Sequence, residues 1–190
     1  MELPASAAWR HREAREGFES VFFRTDGSGH RVAGHTAAVE DGDTWAVHYE
    51  LSLDERWLTR TAHVWGWSTG GEREVDIEGD GAGRWKVDGS AAPLLDGCLD
   101  VDLESSACTN MLPVRRLRMR VGQTYQAPAV YVRALDLAVE RLEQDYTRVD
   151  VDGPGEQYDY RSPAFDFACR LSYDATGLVL EYPGIATRTS

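Results

Sequence analysis

The chain is short of lysine. Lys86 stands alone beside 19 arginines in 190 residues, and 32 acidic groups leave a formal charge of -12. Cations this scattered exclude a nucleic-acid partner, because phosphate binding draws its free energy from clustered Lys and Arg that release counterions. Long apolar runs are missing too: the longest stretch without a charge, 121–132, has 12 residues including two glutamines, against about 20 apolar residues for a spanning helix. The opening 23 residues carry Arg10, Arg12, Glu13, Arg15 and Glu16 where a secretory leader has its apolar segment, so the expectation is a cytoplasmic protein. Cys98, Cys108 and Cys169 are odd in number and form no CxxC pair, which excludes a disulfide framework or a cysteine zinc site and leaves buried thiols.

Catalytic signatures are equally scarce. No GxSxG elbow, HExxH or HxxxH pair occurs, and none of His11, His30, His35, His48 and His63 has a local nucleophile to serve. Ser105 and Ser106 lie near Cys108 without the base and third group of a triad. The 79–83 stretch GDGAG lacks the Lys-Ser/Thr ending of a phosphate loop and reads as a hairpin turn. No catalytic residue, metal or cofactor is assigned.

What is present is alternation. Trp45, Val47, Tyr49, Leu51 and Leu53 form one apolar face opposite Ala46, His48, Glu50, Ser52 and Asp54, the pattern of a half-buried strand. The next run places Trp57, Thr59, Thr61, His63, Trp65 and Trp67 on one face and Leu58, Arg60, Ala62, Val64 and Gly66 on the other. Further strands are expected at 32–39, 72–78, 83–87, 99–103, 117–121, 129–133, 138–149, 158–160, 165–173 and 178–182, separated by turn signals at 40–43, 79–81, 87–89, 152–155 and 175–177. The last two form an antiparallel hairpin across the 174–177 turn. One short helix fits 110–117, with Pro113 in its first turn and Asn110 or Thr109 as its cap. Roughly ten to thirteen short strands describe an all-β barrel, roll or sandwich.

The densest polar segment runs from Gly97 to Arg120, GCLDVDLESSACTNMLPVRRLRMR. Asp100, Asp102 and Glu104 share one side of a strand, with neighbours about 6.5–7 Å apart, a spacing that overlaps carboxylate pairs in glycoside hydrolysis. Leu99, Val101 and Leu103 opposite them give the plainer reading, a strand with one apolar and one wet side. Arg115 and Arg116 follow; one guanidinium can pair with a carboxylate, and consecutive residues diverge, which leaves the other for a different contact. Six tryptophans and eight tyrosines suit a β core and suit equally the wall of a carbohydrate or lipid cavity. Trp65 and Trp67 stand out because they share a face with His63, Thr61 and Thr59 rather than with aliphatic residues.

The stretch GCLDVDLESSACTNMLPVRRL at 97–117 resembles the signature of the bacterial family described as "putative glycolipid-binding". The likeness extends to Trp9-Arg10-His11 with 15–19 REGFE, to GAGRWKV at 81–87 and to GLVLEYPGIATR at 177–188; Cys108 and Met111 depart from the Phe and Thr expected there. The resemblance implies one large antiparallel sheet of ten or more strands curled into a spiral or splayed β-roll, a single domain over 1–190. It brings no catalytic residues.

These readings lead to one expectation: non-enzymatic binding of an amphipathic small molecule or glycolipid in the concave face of the roll. The wall would come from Trp65, Trp67, Trp85, Tyr131 and Tyr182, the polar contacts from Asp100, Asp102, Arg115 and Arg116. The alternatives are a small hydrolase or isomerase with Asp100 and Asp102 as acid and base, and an interaction scaffold whose core is filled.

Overall fold

The computed structural model describes residues 2–153 and 155–189, so Met1, Ser190 and Pro154 of the 152–155 turn lie outside the description. In chain order the elements are β1 (Ser6–His11), β2 (Glu16–Asp26), β3 (Gly29–Glu40), β4 (Asp43–Leu53), β5 (Thr59–Ser68), β6 (Gly71–Gly79), β7 (Trp85–Val87), β8 (Ser90–Ala91), β9 (Asp100–Leu103), α1 (Met111–Leu117), β10 (Thr124–Gln126), β11 (Ala129–Val132), β12 (Val139–Leu142), β13 (Asp145–Val149), β14 (Glu156–Ser162), β15 (Phe167–Tyr173), β16 (Val179–Tyr182) and β17 (Ala186–Arg188). The protein is mainly β, as expected.

Fourteen strands form one sheet in the order β10-β13-β14-β15-β16-β17-β1-β2-β3-β4-β5-β6-β7-β8. β17 pairs with β1, with Trp9 opposite Arg188, so strands from the two ends of the chain lie side by side mid-sheet. β8 and β10 remain as edges, which makes the sheet open rather than a closed barrel. Along β4 the alternation holds as read: Trp45, Val47, Tyr49, Leu51 and Leu53 are buried and the residues between them less so.

The interior is where the expectation changes. A second, three-stranded sheet, β12-β11-β9, lies inside the first, and β9 runs parallel to β11. The concave face is therefore occupied by the chain's own strands and by α1, not left open. All four residues of β9 are buried, so its acidic side is not wet. Strand rules read from Leu99, Val101 and Leu103 fail here because β9 is covered on both faces.

Register fixes those faces. Asp100 pairs with Ala129 and Asp102 with Tyr131, while Leu142 and Glu140 pair with the same two β11 residues. This face looks toward β13–β17. The other face, Val101, Leu103, Val130, Val132 and Val139, joins Trp45, Val47, Leu51, Val64 and Ile77 in one aliphatic core. The carboxylate face meets a cluster built on Tyr146, Tyr158, Tyr160, Tyr173 and Leu171.

Local differences have local causes. Trp57 is not in β5; its φ is +68°, and the Asp54 carboxylate accepts hydrogen bonds from the backbone N–H groups of Arg56 and Leu58, closing a turn before the strand. The expected 138–149 strand divides, because β12 joins the inner sheet and β13 the outer one. The 117–121 segment ends α1 instead, with Arg118 in the left-handed region. Strands β1, β2, β8, β10 and β17 were not anticipated.

Candidate functional site

Polar clamps hold the turn after β9 against the outer sheet. Gly34 has no side chain to keep Tyr49 off β3; a Cβ there would meet the Tyr49 ring at 2.0 Å. Tyr49 can therefore lie flat and donate its hydroxyl to the buried Glu19 at 2.7 Å. Glu19 also accepts from the Ser106 hydroxyl and the Ala107 N–H, and the Thr36 hydroxyl donates to the Ser105 carbonyl. Burial raises the Glu19 pKa and these donors pull it back. A carboxylate held by several donors serves as an anchor.

Beside this anchor lies a cleft of about 220 Å³, bordered by Arg15 and Glu40 from the outer sheet, Asp102 and Glu104 from the β9 segment, Ser106, Asn110, Tyr131, and Tyr160, Ser162, Phe165, Phe167 and Tyr182 from the far side. Asp102 is 6% exposed and accepts the Thr109 hydroxyl at 2.8 Å. Burial pushes its carboxyl up to about 7, against the opposing hydrogen bond from Thr109 and with help from Asp100. Arg15 donates to the Glu104 carbonyl at 3.0 Å and its Nε faces Glu40 at 3.6 Å. Two buried polar atoms of the walls, Arg15 Nε and Ser162 Oγ, have no hydrogen-bond partner. Buried donors that make no hydrogen bond are costly, and both border one space.

Of the nine residues named from sequence, Asp102, Tyr131 and Tyr182 meet at this cleft. Asp100 does not: Arg116 binds it through Nε at 3.0 Å and Nη2 at 2.6 Å, so burial raises its pKa while the guanidinium lowers it. As expected for consecutive residues, Arg115 points elsewhere. It lies 4.1 Å from the Trp57 ring centroid and donates to the Thr176 carbonyl. Trp85 is core, its indole N–H donating to the Cys98 carbonyl at 2.9 Å. Trp65 and Trp67 lie on the outer face of β5, opposite His48 and Ala46 of β4. They are not walls of the interior, because the buried positions of β5 are Thr59, Ala62, Val64 and Gly66.

Asn110 is a correction of another kind. It makes no side-chain cap at α1; its Oδ1 accepts the Tyr146 hydroxyl at 2.9 Å. Arg15, Glu40 and Ser162 carried no local signal, since each reads alone as a turn or surface residue, while Phe165 and Phe167 read as one face of the 165–173 strand with nothing to mark them as site residues. Among the described residues one trio, His63, Glu74 and Asp76, brings possible metal donors within 4.8 Å of one another, on the exposed outer face. There His63 Nδ1 hydrogen-bonds Asp76 at 2.8 Å.

Fold and cleft together define an open antiparallel roll, plugged by its own inner sheet, with a polar and aromatic cleft beside the plug. The chain belongs to the family described as "putative glycolipid-binding", whose model matches residues 6–188. It is similar to a DUF1089 family protein from Pseudomonas aeruginosa, at 32% identity and a TM-score of 0.76, over 90% of this chain and 92% of that one. A β-barrel-like protein of the domain of unknown function DUF1849 from Brucella abortus shares the fold at 12% identity and a TM-score of 0.50, over 96% and 93% of the two chains. No curated protein matches. Among the described residues no helix is long and apolar enough to cross a membrane.

Proposed function

We propose that this protein binds an amphipathic molecule of glycolipid type, with the polar head in the cleft between Asp102, Arg15 and Ser162. The observation that carries the reading is a closed-in polar cleft in which the buried Arg15 Nε makes no hydrogen bond and reaches only Glu40, at 3.6 Å, beside Asp102 and Ser162. A hydroxyl-rich ring both accepts from Arg15 and donates to Glu104 or Glu40, and its apolar faces stack on Tyr131, Phe165 and Tyr182. Three carboxyl groups against one guanidinium disfavour an anionic head. The family's description agrees with this reading.

Native mass spectrometry and titration with short alkyl glucosides test it. Wild-type protein should take up the glucoside, and Ser162→Leu, which fills the cleft, should weaken binding at least tenfold while the fold persists. Equal binding by both proteins, or none by either, would overturn the assignment.

A second reading has one observation behind it. Asp102, pushed up to about 7, is poised to exchange a proton near neutrality, as a hydrolase or isomerase acid would. Asp100, held by Arg116, does not serve as its partner.

A further inference from the structure

Resting on that reading of the cleft, the remaining question is where an apolar tail would go. At roughly 30 Å³ per water, 220 Å³ takes about seven waters, which is room for one ring-sized head and not for an acyl chain as well. The tail has to leave the cleft.

One neighbouring groove fits it. It has a volume of about 520 Å³ and is bordered by Ala37, Val39, Trp45, Ala46 and Trp67, with Glu16 its one charged wall residue. Cross-strand register extends it: Phe18 faces Ala37, Ala37 faces Ala46, and Ala46 faces Trp67, one apolar row across β2 to β5. Phe18 and Trp67 are each 46% exposed and Val39 45%, so this row is covered by nothing in the fold. A contiguous exposed apolar patch marks a contact surface rather than chance.

The groove and the cleft are bordered by chain neighbours. Glu40 borders the cleft and Val39 the groove from opposite faces of β3, and Arg15, in the turn before β2, borders the cleft while Glu16 borders the groove. The Arg15 guanidinium lies 5.2 Å from the centroid of the Trp45 ring, and Trp45 borders the groove. Trp45 Nε1, a buried donor without a hydrogen bond, belongs to this stack, and Arg15 Nε reaches only Glu40, at 3.6 Å. Oxygens of a head-to-tail linkage are acceptors.

We infer that the rim groove of Val39, Trp45, Ala46 and Trp67 is the acyl-chain subsite of the same ligand, whose chain crosses the sheet rim at the Arg15–Trp45 stack. A larger groove of about 1080 Å³, around Leu94 and Val139, is the competing seat. It is lined by Glu72, Glu74, Asp88, Asp136 and Glu140, which suits an acyl chain less.

The experiment is a chain-length series of alkyl glucosides, hexyl to decyl, titrated below their micelle concentrations. Affinity for wild-type protein should rise at least about twofold per added methylene, short of the roughly fourfold of full burial. Val39→Asp and Trp67→Asp, both at exposed positions, should flatten the series and leave hexyl glucoside within about twofold. Leu94→Asp should change nothing. A nitroxide at the chain end should quench wild-type tryptophan emission and lose most of that effect in Trp67→Phe, which guards against misfolding of the aspartate variants. A slope that survives Val39→Asp and Trp67→Asp, or one that Leu94→Asp abolishes, would overturn the subsite. A flat wild-type series with hexyl glucoside still bound would overturn it and leave the head reading standing; no binding of any glucoside would remove both.

Discussion

The two halves of the interior are built differently around the same three strands. On one face of the inner sheet, Val101, Leu103, Val130 and Val132 meet Trp45, Val47, Leu51 and Ile77, a dry aliphatic core whose stability is packing and burial. On the other face, Asp100 and Asp102 meet tyrosines whose hydroxyls need partners: Tyr146 and Tyr173 find them on Asn110 and Tyr160 on Gln144. Polar interiors constrain side chains to directions as well as volumes. That is why the cleft lies on the tyrosine side, where directional groups leave space that aliphatic groups would collapse to fill.

The largest expected loss of stability is on the dry side. Leu51→Ala should lower unfolding stability by about 3 kcal/mol in urea titration and leave glucoside affinity of the folded protein unchanged; a matching loss of affinity would break the division. On the polar side a substitution should act with the opposite sign. The Asp102 carboxyl titrates near 3.8 when unfolded and near 7 when folded. Between those values the folded chain keeps a proton the unfolded chain has released, so the contribution of Asp102 to stability falls as pH rises through that window and is lowest above it. Asp102→Asn should therefore be more stable than wild type by about 4 kcal/mol near pH 8, the difference fading toward about pH 3. A destabilised variant at both pH values would show that Asp102 is a structural anion. The smallest effect is Tyr146→Phe, which removes the donor to Asn110 and should cost about 1 kcal/mol; a cost near zero would place a water at Asn110 and make the two halves more alike.

Much of the outer sheet was legible in the sequence because each of its strands buries one face. The period-2 pattern of 45–53, 72–78 and 167–173 survives in β4, β6 and β15, while in β16 Val179 is buried and Leu180 exposed, against the expected Leu178, Leu180 and Tyr182 face, where the register shifts at Ser172 and Tyr173. The inner sheet was legible only as strands. Asp100 and Asp102 were placed on one side correctly, yet that side was read as wet, because no residue of β9 carries information about the tyrosines that cover it. The helix was found at 110–117, and its Arg116–Asp100 pairing follows the expected divergence of Arg115 from Arg116. Trp65 and Trp67 were singled out for their polar company, and that company is the mark of the outer face. Trp67 returns as a wall of the rim groove, not of the interior.

By itself, the sequence determined the β class and the family, since alternation, turn residues and a signature stretch are properties of neighbours along the chain. Only tertiary structure decided that the roll is plugged, that Asp100 is tied to Arg116 while Asp102 faces a cleft, and that Arg15, Ser162 and Tyr182 border the same space. Those residues stand up to 167 positions apart, 15 to 182, and what brings them together is the pairing of β17 with β1 and the burial of β9 on both faces.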